Sequence, residues 1–565
     1  MDLKWVLRDD VDHNLINSLA DQLNVPKSIA RILYNRKITD YDSALRYFKF
    51  QISDLYDPFL LPDMQKAVDR IILAMRNREK ILIYGDYDVD GITSVSLIYL
   101  LLKYLGCQVE FYIPNRLREG YGMSIDGIKV AQLKGISLII TVDCGITAIQ
   151  EVQYANAAGI DIIISDHHES STDLPNALAV LNPKANGASY PFRELAGVGV
   201  AYKLALGLIR MLNLDEEIIQ QYVDLVAIGS AADIVPLIDE NRILVREGLR
   251  RLNEKDKPGL AALLESSGLR NKVISTGQIV FVIAPRINAV GRMGNAERAV
   301  RLLTTDNKQQ ARNIAAILEA ENRERKSIDD LTFKEAQEIV DTQYDTRENA
   351  ALVLDMDGWH PGVIGIVASR IVEKYYRPTV MISVEDGIGK GSARSIHGFD
   401  IYEAMKKCED LMLGFGGHKY AAGLTIEEKK IKLLRERLNE IAKDTLSEDM
   451  LIPKLNIDCE IDLNDINPRF VKLLKMMAPF GPQNLRPVFL SRNLQVVGTP
   501  CIVGKNHLKF KVQQNGVVID AIGFNLGDKF YRLAPGEKNL DLAYVVEENE
   551  YMGRTTLQLR IKDLR

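Results

Sequence analysis

Ile81-Leu82-Ile83-Tyr84-Gly85-Asp86-Tyr87-Asp88-Val89-Asp90-Gly91 joins a short apolar run to three alternating carboxylates and a glycine. Continuous runs this short and this rich in Ile read as strands buried on both faces. The arrangement recurs downstream, where Leu138 to Val142 leads into Asp143-Cys144-Gly145 and Ile162 to Ser165 leads into Asp166-His167-His168. Helical patterns over Thr93 to Leu105 and Thr147 to Ala158 separate the runs. The unit is strand, helix, strand, which predicts an α/β domain built on a parallel sheet with right-handed crossovers.

Open α/β sheets collect ligands at the carboxyl ends of their strands, and each acidic or histidine motif begins there. Carboxylates gathered at one edge repel one another and resist ionisation unless cations neutralise them. An oxygen-rich set with one or two imidazoles suits Mn²⁺ or Mg²⁺ better than zinc, and the histidine favours Mn²⁺. Two such ions about 3.5 to 4 Å apart activate a water and stabilise both oxygens of an in-line displacement at phosphorus. Hydrolysis of a phosphodiester or phosphoanhydride is the expected reaction.

Each motif alone has a plainer reading. Asp86-Tyr87-Asp88-Val89-Asp90-Gly91 resembles the start of an EF-hand, but Leu97 stands where that loop needs Glu. Asp143-Cys144-Gly145 is an ordinary turn composition, and Asp166-His167-His168 would serve as a helix N-cap. Their order and shared place after strands make the set specific.

The 565 residues, 47% hydrophobic and 26% charged, leave room for three or more domains of a soluble globular protein. No run approaches the roughly 18 apolar residues that cross a bilayer, and Met1-Asp2-Leu3-Lys4-Trp5 lacks a secretory core. A cytoplasmic location is expected. Cys107, Cys144, Cys408, Cys459 and Cys501 form no close pair, which supports neither a disulfide framework nor a zinc site. Cys144, beside Asp143, reads as packing.

The net charge of −5 conceals a basic block. Between Ile466 and Ile519 there is no Asp or Glu, whereas Arg469, Lys472, Lys475, Arg486, Arg492, Lys505, Lys509 and Lys511 are all cationic. Such a block is an electrostatic footprint for phosphate. β-Branched runs over Val488 to Val497, His507 to Gln513, Val517 to Phe524, Asp541 to Val546 and Thr555 to Ile561, with an Asn515-Gly516 hairpin turn, predict a barrel. Phe489, Phe510 and Phe524 either stack on bases or fill its core.

Asp306 to Val340, dominated by Ala, Glu, Lys, Arg and Leu, predicts one or two helices acting as a strut. Alternation then returns, with a strand at Ala351 to Leu354, a helix at Val363 to Tyr376 and a strand at Thr379 to Ser383. Gly387, Gly389 and Gly391 suggest a backbone nest that Ser392 and Arg394 complete as a phosphate pocket. His418 lies in a glycine stretch where backbone approaches a ligand closely. Met1 to about Phe50 is helical in pattern.

The triplet Asp166-His167-His168, after Asp86 to Gly91 and Asp143 to Gly145, resembles the motif that defines the DHH phosphoesterases. Further stretches resemble their RecJ branch, single-strand-specific 5′→3′ exonucleases: Ile113-Pro114-Asn115-Arg116 with Glu119-Gly120-Tyr121-Gly122, Gly229 to Pro236 carrying Asp233, and Pro285-Arg286-Ile287-Asn288 with Gly291-Arg292-Met293. Trp359 to Gly365, Ser392-Ala393-Arg394-Ser395, Gly416-Gly417-His418 and Ala421-Ala422-Gly423 resemble the branch's second domain.

The resemblance implies a helical cap (1–55), a DHH catalytic domain (56–305), a connecting helix (306–345), a DHHA1-type substrate-binding domain (346–450) and a C-terminal OB-type β-barrel (451–565). It implies that Asp86, Asp88, Asp90, Asp143, His167 and Asp233 bind two divalent cations, Mn²⁺ preferred and Mg²⁺ possible, with Asp143 bridging. Asp143, Asp90 and His168 are the expected catalytic residues, His168 orienting substrate or stabilising charge. Arg116, Arg286, Arg292, Ser392, Arg394 and His418 are the expected substrate contacts. It further implies release of 5′-mononucleotides from single-stranded DNA in repair and recombination, by a monomer working with a helicase and a single-strand-binding protein. DHH enzymes that cut short oligoribonucleotides or cyclic dinucleotides usually lack the basic barrel. A non-enzymatic relative would lack the ligands, and a pyrophosphatase would carry His where Tyr84 stands.

Overall fold

The structure, a computed structural model, describes residues 3–565 apart from 9, 116–118, 121, 171–172, 294, 346–347, 534, 537 and 552–553. It divides into two compact units: Lys49–Arg325 with Ala478–Leu485, and Met1–Phe48 with Lys326–Met477 and Arg486–Arg565.

The first unit is built on a parallel sheet in the order Gln108–Tyr112, Lys80–Gly85, Leu138–Val142, Asp161–Ser165, Ala179–Leu181. Strand Leu138–Val142 is buried throughout, as its unbroken apolar run requires. Helices Val89–Tyr104, Gly197–Met211 and Val223–Ala232 are buried over most of their length and cover one face of the sheet with a large aliphatic core, while Ile125–Leu133 and Ile149–Ala157 cover the other. The chain runs outward from Lys80–Gly85 in one direction to Gln108–Tyr112 and in the other to Leu138–Val142. That reversal opens a crevice at the carboxyl ends of Lys80–Gly85 and Leu138–Val142, where doubly wound sheets bind ligands.

The second unit contains a mixed five-stranded sheet, ordered Met412–His418, Ala421–Glu427, Ile388–Arg394, Thr379–Glu385, Leu352–Asp357, with helix Ile364–Tyr375 against it. It also contains a barrel of five strands. Phe489–Val503 pairs with both His507–Gln514 and Lys538–Tyr551, His507–Gln514 pairs with Val517–Gly523, Val517–Gly523 with Arg554–Leu564, and Arg554–Leu564 with Lys538–Tyr551, so the ring closes. Register shifts in Phe489–Val503 let one long strand serve two neighbours. Asn515 and Gly516 both have positive φ, 50° and 85°, as a two-residue primed turn demands.

Two expectations change, and the choice between one helix and two for the strut is decided. The N-terminal stretch does form helices His13–Leu23, Lys27–Asn35 and Tyr41–Phe48, but Lys4–Leu7 is a strand paired in parallel with Lys454–Ile457, and this stretch groups with the second unit. Four residues are too few to show a period of two. The strut is one continuous helix, Lys308–Gln343. The glycine nest is absent. Gly389 and Gly391 lie within strand Ile388–Arg394, where a Cβ would come within 2.6 Å of Ile382 and Leu424 respectively, and the turn is made instead by Asp386 and Gly387, with φ of 50° and 77°.

Candidate metal centre

Every ligand-bearing segment of the first unit begins where a regular element stops. Asp86 directly follows strand Lys80–Gly85, and Asp88 caps helix Val89–Tyr104, its Oδ1 accepting the Gly91 amide at 3.0 Å. Gly91 is required here, because a Cβ would lie 2.5 Å from the Asp86 carbonyl oxygen. Asp143 leaves strand Leu138–Val142 with φ of 59°, a left-handed conformation that Asp tolerates, and its amide donates to Ser165 O at 2.9 Å. Asp233 ends helix Val223–Ala232, and Ile234 follows at φ 62°. A β-branched residue in that region is strained, and the turn is what aims Asp233 at the centre.

His167 sits among these carboxylates. Its Nε2 lies 3.2 Å from Asp143 Oδ1, 3.7 Å from Asp233 Oδ2 and 3.8 Å from Asp90 Oδ2. Three overlapping groups could each hold a cation: Asp86, Asp88 and Asp143; Asp90, His167 and Asp233; and Asp143, His167 and His168. Asp143 and His167 each belong to two of them, and of the pair Asp143 is the carboxylate, whose two oxygens let it serve two cations.

Asp90 is anchored by residues that its sequence neighbourhood does not reveal. Gly197 and Val198, opening helix Gly197–Met211, donate to its two oxygens at 2.7 and 2.9 Å, and the helix N-terminus favours the anion. A Cβ on Gly197 would lie 2.5 Å from Asp143 Oδ1, and one on Gly229 would lie 2.8 Å from Asp90 Oδ1. Glycines opening or lining apolar helices were the available signal of this close approach.

Asp166 faces its own loop. It accepts the Ile146, His167 and His168 amides at 2.9, 2.7 and 3.1 Å, and its Oδ1 lies 2.7 Å from His168 Nδ1. The plainer N-cap reading of the triplet is not met, since among the described residues no helix starts there. Cys144 is buried with Sγ 3.8 Å from Tyr84 O, and burial drives its thiol pKa up, consistent with packing.

The electrostatics describe a site that resists full ionisation alone. Burial, then the charge of Asp88, pushes Asp90 up to about 7. Burial, then Asp90, Asp88 and Asp233, holds Asp143 well above the carboxylate range, and burial with Asp90 and Asp88 raises Asp233 likewise. Burial lowers His167 to about 3, keeping it neutral as a ligand must be. Burial opposes charging of His168, but Asp166 overcomes this and raises it to about 9. Asp143 Oδ1 is buried and receives no hydrogen bond among the described residues. A cluster of carboxylates with an acceptor aimed inward fits divalent cations.

The sign of the pH dependence follows. Between about 4 and 7 the folded, cation-free chain keeps a proton on Asp90 that the unfolded chain releases, so its stability falls as pH rises through that window. Cations displace the proton, so their stabilisation grows with pH. The Mn²⁺-induced rise in Tm is expected to be larger near pH 8 than near pH 5.5; a rise of equal size at both would mean that the carboxylates ionise unaided.

The expected substrate residues are distributed differently. Arg116 lies outside the described residues. Arg286 already has protein partners: its Nε pairs with Glu319 at 2.6 Å and its Nη1 donates to Val282 O at 2.7 Å, both shielded from solvent. Arg292 is in the last turn of helix Ala284–Met293, whose Gly291 abuts Tyr87 O of the aspartate loop. In the other unit, Arg394 Nη1 donates to Ser392 Oγ at 3.0 Å, and both approach Gly365 at the start of helix Ile364–Tyr375. His418 is exposed at the end of an edge strand, opposite Ala421.

On the barrel, Phe489 and Phe510 are core residues, whereas Phe524 is 45% exposed, with the His507 ring at 5.2 Å and the Arg560 guanidinium over its face at 5.3 Å. Lys509, Ile522 and Arg560 form one row across three strands. The basic block is partly neutralised by acids outside it, since Arg492 meets Glu460 and Asp541, Lys475 meets Glu548 and Lys511 meets Asp520.

Comparison with known proteins identifies three regions of the chain. Family models for the DHH family N-terminal domain, the DHHA1 domain and the RecJ OB domain match residues 80–230, 348–444 and 457–563. The single-stranded-DNA-specific exonuclease RecJ of Bacillus subtilis is 39% identical over 99% of this chain and 70% of its own length. The protein of that name from Escherichia coli is 35% identical over 89% of this chain and 90% of its own. The crystal structure of RecJ with Mn²⁺ from Thermus thermophilus superposes with a TM-score of 0.85 at 28% identity, covering 100% of this chain and 79% of that one, and the Mg²⁺ complex gives 0.78. Among the described residues no helix is long and apolar enough to cross a membrane.

Proposed function

The chain belongs to the RecJ family of DHH phosphoesterases, and on that footing we propose that it is a cation-dependent exonuclease specific for single-stranded DNA, working from the 5′ end and releasing 5′-mononucleotides. The observation that carries this is the convergence of Asp86, Asp88, Asp90, Asp143, His167 and Asp233 at the sheet's switch point. These residues would hold two Mn²⁺ or Mg²⁺ ions, with Asp143 shared. When bound, such ions activate a water and neutralise charge developing on phosphorus oxygens.

The chain's own groups do the rest. Asp90, fixed by the Gly197 and Val198 amides, sets one ligand position. His168, kept protonated by Asp166, supplies positive charge and a proton donor beside the reacting phosphate. Ser392 and Arg394, at the start of helix Ile364–Tyr375, hold a terminal 5′-phosphate. His418 contacts the strand, and Arg116 and Arg292 are further phosphate contacts, whereas Arg286 is left out because Glu319 occupies it. Phe524 with Arg560 and Lys509 offers a stacking face beside cations, the chemistry that tracks a single strand. A cytoplasmic monomer acting in repair and recombination with a helicase and a single-strand-binding protein completes the proposal.

The deciding assay follows 5′- and 3′-labelled oligonucleotides with Mn²⁺, Mg²⁺ or chelator. Loss of the 5′ label as mononucleotide, only with a divalent cation, is expected. Release from the 3′ end, or cleavage in chelator, would overturn the proposal. Arg394→Ala is expected to slow degradation of 5′-phosphorylated ends about 10- to 100-fold, the worth of one charged hydrogen bond, while sparing 5′-hydroxyl ends. Equal loss on both would remove the pocket.

A further inference from the structure

Asn241 stands in the first turn of helix Asp239–Leu252 and is completely buried. Its Nδ2 donates to two carbonyls from separate segments, Glu194 O and, at 3.0 Å, Pro236 O. Its Oδ1 accepts nothing among the described residues. Turning the amide over would set that oxygen against both carbonyls, so the donor end is fixed and the residue is held there for its N–H groups.

Both tethered segments serve the same cation position. Residues 194–198 give the Leu195 backbone contact to His167 and the Gly197 and Val198 amides to Asp90. The loop ending at Pro236 begins with Asp233 and the strained Ile234. His167, Asp90 and Asp233 form one of the candidate ligand groups; of the neighbouring group, Asp86 and Asp88 touch neither segment through these bonds, and Asp143, which Gly197 abuts, is the ligand proposed to be common to both. The clamp has a rigid base: Glu240, next in the chain, meets buried Lys203 at 2.5 Å and accepts from Tyr190 at 2.6 Å and the Tyr56 amide at 2.9 Å.

We propose that Asn241 is a positioning residue that assembles the Asp90, His167 and Asp233 cation subsite by tying the 194–198 segment to the Asp233 loop through one side-chain amide. It touches neither cation nor substrate, and it acts on one subsite in preference to the other. The inference rests on the metal reading above.

The test titrates Mn²⁺ into the full-length chain by electron paramagnetic resonance, comparing the wild type with Asn241→Leu, similar in size but without a donor, and with Asn241→Ser, which reaches at most one carbonyl. Circular dichroism of each metal-free protein is recorded alongside. In both variants one Mn²⁺ is expected to bind as in the wild type and the other about tenfold or more weakly. Excess Mn²⁺ should restore kcat, with KM for the oligonucleotide unchanged. Wild-type affinity at both subsites, equal weakening of both, or loss of the native spectrum in both variants would overturn the proposal. Fewer than two Mn²⁺ in the wild type would refute the underlying metal reading, a failure visible before either variant is measured.

Discussion

Asp143→Ala is expected to lower cleavage by at least about 10³-fold while leaving the affinity for single-stranded DNA within a few-fold of the wild type. Asp143 is the carboxylate common to two of the candidate ligand groups, and its inward oxygen has no other hydrogen-bonding partner among the described residues. As the proposed shared ligand, Asp143 would be lost to both cations at once, whereas removing Asp86 takes one from a single group. Contacts with the strand are proposed for the barrel and for Ser392 and Arg394, so binding should persist. The measurement is single-turnover release of a 5′ label, paired with a filter-binding titration. A rate near that of the wild type would mean that the catalytic centre lies elsewhere.

Gly197→Ala is expected to have the second largest effect, although it alters no ligand. Gly197 does not have a left-handed φ, so alanine fits its backbone conformation at the opening of the helix. The added methyl would nevertheless lie 2.5 Å from Asp143 Oδ1 and 2.8 Å from its Cβ and Cγ; because that Cβ is fixed to the backbone, rotating the carboxylate is not enough, and the Asp143 turn or the start of the helix has to shift with it. A ligand displaced by about 1 Å costs roughly 10²-fold in rate, and a comparable weakening of Mn²⁺ binding is expected. Unchanged Mn²⁺ affinity with an unchanged rate would show that Asp143 does not need the position seen here.

The aspartates and histidines of the site were legible because each follows a run that folds as a strand or helix without help. Leu138 to Val142 can be little else, and Asp143 must then emerge at the sheet's edge. What holds the ligands was not legible. The amides of Gly197 and Val198 reach Asp90 across 107 and 108 residues, and backbone donors carry no side-chain signature. The pairing of Arg286 was not legible for a related reason, since its partner Glu319 stands 33 residues away on a charged helix that otherwise reads as solvated. The expected nest at Gly389 and Gly391 failed because those glycines answer to Ile382 and Leu424 on neighbouring strands, a demand of packing that composition presents as a turn. The two barrel phenylalanines that proved buried and the one that proved exposed alternate no differently in sequence. Only closure of the ring, through the double pairing of Phe489–Val503, decides which side each one faces.

The most direct test of the two-cation centre is the stoichiometry of Mn²⁺ in the intact protein, read from the spin-coupled resonance signal during titration at neutral pH. Two Mn²⁺ per chain with a coupled signal, both disrupted by Asp143→Ala, is the predicted result. A single uncoupled ion, or two ions indifferent to that substitution, would contradict it.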